Sequence, residues 1–289
     1  MTRIVLVHGI AQEVKGPETL LADWYPALSD GLALAVGMRV ERDEVSMAFY
    51  GDVFRPAGHR GLGAPELDAS DVQDGLEREL LLQWWQSASE RETHVADPAA
   101  RARLRTPHLV QRALDALSHS SFFAGLSERM MIASARQVRR YFTEPDLRSG
   151  IRDRIAQRVT RETEVIVAHS LGTVAAYETL HALPDCPNLT LVTLGSPLAV
   201  RNLIFDRLTP RPVNGLARWP APVKRWTNIA DAGDVVALAK ELAPSFGHRV
   251  RDLRVHNGSE AHDVRPYLTA RETGQAIAEA LRSDAADLS

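Results

Sequence analysis

The chain has 289 residues, of which 45% are hydrophobic and 25% charged, and its formal net charge is -3. That length supplies a substantial core, and the charged fraction is ordinary for a globular protein, which excludes wholesale disorder and a coiled coil. A near-neutral balance gives no whole-chain attraction to nucleic acid or an anionic membrane, and the single cysteine, Cys186, excludes an intramolecular disulfide and a cysteine-rich metal site.

The opening "MTRIVLVHG" carries a short apolar run closed by His8 and Gly9. It reads as a core strand, Arg3–Val7, rather than a signal peptide, and no apolar run is long enough to span a bilayer. The expected location is cytoplasmic. A second strand is expected at Val45–Tyr50, followed by "FRPAGHRGLGAPELDASD", whose Gly and Pro content predicts a loop. From about Asp71 to Val159 the pattern is helical, punctuated by Pro98, Pro107 and Pro145. Residues 71–145 read as a helical insertion, and the remainder of this stretch as a crossover helix into a strand at Glu164–Ala168. Two arginine clusters here (Arg101, Arg103, Arg105 and Arg136, Arg139, Arg140) read as solvated helix faces, not as a nucleic-acid site.

Downstream, the pattern predicts a helix at Leu171–Leu183, a strand at Leu189–Leu194, a strand at Val223–Ile229, a helix at Val235–Leu242, a strand at Val250–Val255 and a helix at Ala270–Leu281. Cys186 lies in the Pro-bounded "LPDCPN" loop, with nothing near it to suggest a reactive thiolate. Short, β-branched, nearly continuous apolar strands alternating with helices predict an α/β fold. The sheet should be mainly parallel, with about six strands covered on both faces, in a single domain spanning residues 1–289.

"VIVAHSLGTVAAYE", Val165 to Glu178, places a serine on a sharp turn between a strand and a helix. Such a turn strains the serine backbone, so the residues two before and two after it must be small; here they are Ala168 and Gly172. The helix N-terminus adds backbone N–H groups where an oxyanion would form. Nucleophilic serine chemistry also needs an oxyanion hole and a base oriented by a carboxylate. In "LVHGIAQ" the loop after His8-Gly9 can aim the Ile10 N–H at the serine, with the Leu171 N–H as second donor. "RWTNIADAGDVVAL" offers two acids at a strand end, Asp231 and Asp234. Asp234 is preferred because Val235-Val236 would seat it against the core, whereas Asp231 suits a turn or cap. "LRVHNGSEAHDVRPYLT" offers His256 at the strand end and His262 in the following loop, which reaches back over the elbow more easily. His169 reads as a packing or hydrogen-bonding residue. The other histidines show no ligand spacing, so no metal and no cofactor are expected.

Taken in order, "VLVHGI", "VAHSLG", "TLGSPL", "DAGDVV" and "AHDVRPY" resemble the α/β-hydrolase superfamily, in particular its lipase and esterase-like members. The resemblance implies an α/β-hydrolase fold with fewer strands than usual, Ser170 as nucleophile, His262 as base, Asp234 as its orienting acid, and "TLGSPL" as a wall of the cleft. The reaction it implies is hydrolysis of a small-molecule or lipid carboxylic ester through an acyl-enzyme. An amidase or peptidase with the same triad, or a catalytically silent binding or signalling module, are the alternatives. The insertion is expected to lie over the C-terminal edge of the sheet as a cap. If Trp84, Trp85, Phe122 or Phe123 line the cleft, the substrate is expected to be partly apolar, with longer acyl chains favoured; packing within the insertion would leave no such trend.

Overall fold

In the computed structural model, which describes residues 2–55, 67–98, 106–123, 127–183 and 188–286, six short apolar runs pair into one sheet. The strands are β1 (Ile4–Val7), β2 (Val45–Ala48), β3 (Val165–His169), β4 (Leu189–Leu194), β5 (Val223–Asp231) and β6 (Val250–Val255). Their order is β2-β1-β3-β4-β5-β6 and every pairing is parallel. Every residue of β1, β3 and β4 is buried, as expected of strands covered on both faces.

The helices are α1 (Pro17–Val36), α2 (Leu76–Ser89), α3 (Thr106–Ser118), α4 (Glu128–Thr143), α5 (Pro145–Ala156), α6 (Leu171–His181), α7 (Ala243–Phe246), α8 (Val264–Thr269) and α9 (Arg271–Ala286). The pleat of β1 divides them. Ile4 and Leu6 pack with Leu20, Trp24 and Leu28 of α1 and with residues of α8 and α9, whereas Val5 and Val7 belong to the core formed by α2 to α6. The protein is therefore a three-layer α/β structure with a six-stranded parallel sheet flanked by helices. Among the described residues no helix is long and apolar enough to cross a membrane, and no group of three His, Cys, Asp or Glu could hold a metal ion.

Two departures from the sequence pattern have physical causes. Val235–Leu242 is not a helix. Its polar groups are taken up by side chains from neighbouring segments: Asn228 Nδ2 donates to the Lys240 carbonyl (3.0 Å), and Asp252 accepts the N–H groups of Leu242 and Ala243 (both 2.9 Å). The other is α1, a helix the sequence pattern does not predict. Pro26 in its interior interrupts the pattern, although Pro17 at its start, Gly37 at its end and buried Leu20, Leu21, Trp24, Leu28 and Leu32 supply the signal.

Buried polar contacts brace the helices within the insertion and join it to α6. Glu77 of α2 accepts from Arg139 Nε (2.6 Å), and Glu178 of α6 accepts from Tyr141 Oη (2.7 Å) and Arg148 Nε (2.8 Å). Arg140 pairs with Glu144 (2.9 Å) and Arg136 donates to the Asp71 carbonyl (2.8 Å), so this arginine cluster is engaged within the protein. The other cluster (Arg101, Arg103, Arg105), residues 56–66 of the expected loop, and Cys186 lie outside the described residues.

Candidate active site

In an open parallel sheet, ligands bind beyond the C-terminal strand ends where the strand order reverses. Here the chain runs from β1 outward to β2 and then crosses to β3 on the other side, which makes the β1/β3 pair that point. The loops leaving these two strands carry Gly9-Ile10 and Ser170.

Ser170 has φ 54° and ψ -132°, a positive-φ conformation that costs a non-glycine residue energy and persists only where its surroundings enforce it. Its N–H donates to the Leu194 carbonyl (3.1 Å). Its own carbonyl accepts from the N–H (2.9 Å) and the hydroxyl (2.7 Å) of Thr173. Thr173 Oγ1 also lies 2.8 Å from Ser196 Oγ, which ties the elbow to the "TLGSPL" turn. Gly172 explains the small residue two positions on: a Cβ there would lie 2.2 Å from the His8 carbonyl oxygen, so α6 packs directly on the backbone leaving β1.

The structure brings Ser170, His262 and Asp234 together. Ser170 Oγ lies 3.0 Å from His262 Nε2, and His262 Nδ1 lies 2.8 Å from Asp234 Oδ2. Asp234 is fully buried and all its acceptor capacity is used. Oδ2 also accepts from Tyr267 Oη (2.9 Å), and Oδ1 accepts from the N–H groups of Val236 (2.9 Å) and Ala237 (3.0 Å). Burial alone would raise its pKa. The adjacent His262, Lys240 and these amide donors outweigh burial and hold the carboxyl at about 2, so it is ionised. An ionised Asp234 fixes the proton on His262 Nδ1 and leaves Nε2 free to accept the Ser170 hydroxyl.

Asp231 and His256 are placed differently. Asp231 is the last residue of β5, and its carboxylate accepts from the backbone N–H groups of Gly233 (2.5 Å) and Asn257. His256 is 90% exposed in its side chain and stands 4.0 Å from Asp231. Asp231 thus joins the ends of β5 and β6 through the Asn257 N–H, and neither Asp231 nor His256 hydrogen-bonds Ser170 among the described contacts.

The Ile10 and Leu171 N–H groups make no hydrogen bond among the described residues, and Leu171 is the first residue of α6, where no intrahelical partner exists. Both residues border the space beside Ser170. The conformation of the Ile10 loop is held by Gln137 of α4, whose Oε1 accepts the Ala11 N–H (3.0 Å) while its Nε2 donates to Glu13 (3.0 Å).

Four contributors escape sequence reasoning. Gly195, at φ 53°, lies against the His262–Asp234 hydrogen bond; a Cβ there would be 2.8 Å from Asp234 Oδ2 and 3.3 Å from His262 Nδ1. The glycine of "TLGSPL" is the available signal. Tyr267 accepts the Asp231 N–H (2.8 Å) and donates to Asp234, linking both acids. Gln137 is a third. Trp24 of α1, which lines the cavity at Ser170, is the fourth.

Two histidines are buried without charge. His169 donates from Nε2 to the His262 carbonyl (3.0 Å), its ring 4.7 Å from that of His262, and burial, reinforced by His262, lowers it to about 3. His8 accepts the Tyr50 N–H at Nε2 (3.0 Å) and donates from Nδ1 to the Gly9 carbonyl (2.7 Å); burial lowers it to about 4.

A cavity of about 430 Å³ opens at Ser170 and His262, and Trp84 and Phe123 of the insertion form part of its wall together with Trp24 and Met131. Trp85 instead packs inside the insertion, its Nε1 donating to the Ala96 carbonyl (2.6 Å), and the Phe122 side chain is outside the described residues. No family model, no curated protein and no solved structure matches the chain, and the site is defined by its own geometry.

Proposed function

We propose that this protein is a serine hydrolase of the α/β-hydrolase type that cleaves a carboxylic ester, with the insertion over the sheet end as its cap. The observation that carries the reading is the continuous hydrogen-bonded line from a positive-φ serine through His262 to a buried, ionised Asp234. It sits at the sheet's switch point and follows the chain order Ser, Asp, His.

In this reading Ser170 Oγ attacks the carbonyl carbon as its proton passes to His262 Nε2. The carbonyl electron pair moves onto oxygen, which accepts from the Ile10 and Leu171 N–H groups. The bond to the leaving oxygen then breaks and His262 returns the proton to it, leaving an acyl-Ser170 ester. Water, deprotonated by His262, attacks that ester; the acyl–Oγ bond breaks, the carboxylic acid leaves and His262 returns the proton to Ser170 Oγ. Asp234 stays ionised throughout and stabilises the imidazolium.

A fluorophosphonate probe tests the assignment. The expected result is one covalent adduct per chain, mapped by mass spectrometry to Ser170, together with hydrolysis of p-nitrophenyl esters. Matched esters and anilides of one acid separate esterase from amidase activity. An intact protein that takes up no probe and turns over neither class would overturn the hydrolase assignment.

A further inference from the structure

Two donors converge on one oxygen of Asp234, and one short segment supplies both. His262 Nδ1 lies 2.8 Å and Tyr267 Oη 2.9 Å from Asp234 Oδ2, with His262 in the loop that enters α8 and Tyr267 within that helix. Tyr267 is fully buried and lines no part of the cavity at Ser170, so any influence it has on the reaction passes through Asp234. Its placement is tightly held. Thr273 Oγ1 donates to the Tyr267 carbonyl (2.6 Å), and Gly195 leaves room for the ring, since a Cβ there would stand 3.3 Å from Tyr267 Cε2.

The direction of the Tyr267 hydrogen bond follows from its chemistry. A phenol has one proton, and the Asp231 N–H (2.8 Å) can only donate, so that N–H takes a lone pair of Oη. The phenol proton is thereby committed to Asp234, an ionised carboxylate that can only accept. Burial, reinforced by Asp234, holds the phenol well above its usual range, so the proton is present at every working pH. A carboxylate oxygen shared by two donors gives less of its charge to each. Resting on the hydrolase reading above, we propose that Tyr267 is a positioning residue that fixes Asp234 and sets the basicity of His262, its hydroxyl drawing off part of the Oδ2 charge that stabilises the imidazolium. The other ionisable groups around these three are Lys240 on the Asp234 carbonyl, Asp231 behind the phenol, and His169 and Asp263 beside His262. Removing the hydroxyl alters none of them directly.

Tyr267→Phe keeps the ring and deletes that hydroxyl. With the Oδ2 charge left to His262, the acid limb of kcat/KM against pH, measured with p-nitrophenyl acetate, is expected to move up by about half a unit. At the plateau kcat is expected to fall roughly 3- to 10-fold because Asp234 loses a restraint, with KM changed by less than about twofold because Tyr267 borders no substrate space. Site-specific 3-fluorotyrosine at position 267 supplies a more acidic phenol of nearly the same size. As a stronger donor it is expected to move the limb down, and it decides the matter alone if Tyr267→Phe does not fold. The limb's position does not depend on how much protein is folded, so a purely structural role would lower stability without moving it. A limb unmoved in either folded protein, or moved opposite to these directions, would overturn the proposal, while fluorophosphonate labelling of Ser170 would leave the hydrolase reading intact. No labelling and no ester turnover in the unmodified protein would remove the hydrolase reading and this inference with it.

Discussion

The sheet end and the helical insertion build the same cavity by different means. At the sheet end, the candidate site residues stand on turns whose backbone is held by other backbone: the Ser170 N–H on Leu194, and the Gly195 N–H on the Ile229 carbonyl (3.0 Å). The insertion supplies walls, Trp84 and Phe123, and reaches the site loops through two side chains. Gln137 holds Ala11, and Arg91 Nε donates to the Ala232 carbonyl (3.1 Å) in the loop before Asp234. Placement at the sheet end thus comes from fold topology, whereas shape and loop tethering come from a few side chains. Substitutions at the sheet end should therefore cost far more than those in the insertion.

The largest effect is expected from Ser170→Ala, which should lower ester turnover by roughly 10⁴- to 10⁶-fold with an unchanged melting temperature. Next is the contrast between the two acids. Asp234→Asn should cost on the order of 10⁴-fold in kcat, because the His262 tautomer is no longer fixed. Asp231→Asn should leave kcat within a few-fold and show its effect in stability, about 1–2 kcal/mol by urea unfolding, because one of the two oxygens that accept the part-buried Gly233 and Asn257 N–H groups becomes a donor. Equal losses of kcat in the two variants would break the distinction between them.

Gly195→Ala ranks third. The new methyl would meet Asp234 Oδ2 at 2.8 Å on a backbone at positive φ, and displacing that carboxylate by a fraction of an ångström is expected to lower kcat about 10²-fold. Steady-state kinetics on the folded variant checks it.

The same contrast governs what is legible in the sequence. Six apolar runs are readable as strands because both faces of a parallel sheet are buried, and "AHSLG" is readable because small residues around a strained serine have a steric cause. Asp234 separates from Asp231 through its apolar followers, and in the structure Val236 donates its N–H to Asp234 (2.9 Å). What stays hidden depends on distant pairs. Gln137 meets Ala11 across 126 positions and Tyr267 meets Asp234 across 33, and no periodicity encodes such contacts. The segment at 235–242 looks helical because its pattern carries no trace of Asp234 and Asp252, whose carboxylates accept the N–H groups of Val236, Ala237 and Leu242.

Acid should expose a fourth effect, centred on the sheet end. His8 and His169 stay neutral when folded down to about pH 4 and about pH 3, while in the unfolded chain both take up protons near pH 6.5. Between those values the unfolded state binds more protons, so stability is complete above pH 6.5 and falls as pH is lowered. From pH 7 to pH 5 each histidine should remove about 2 kcal/mol. Urea unfolding at the two pH values measures the sum, and His8→Asn should remove about half of the dependence.

The smallest effect tests the insertion's tether. Gln137 is nearly buried on α4, and its carboxamide is the only described partner of the Ala11 N–H, in a residue held at φ 60°. Gln137→Leu would remove that partner and free the Ile10 loop. A hydrogen bond of this kind is worth about 1 kcal/mol, so kcat should fall roughly 5- to 10-fold with KM nearly unchanged, because in the proposed mechanism the Ile10 N–H stabilises charge that develops only in the transition state. Gln137→Glu keeps the acceptor for Ala11 but sets a carboxylate against Glu13, whose oxygen accepts from the native amide at 3.0 Å. Its activity should be intermediate and should recover when Glu13→Gln is added. A Gln137→Leu protein that loses stability but keeps kcat would reduce the insertion to a wall and leave the oxyanion loop to the sheet end alone.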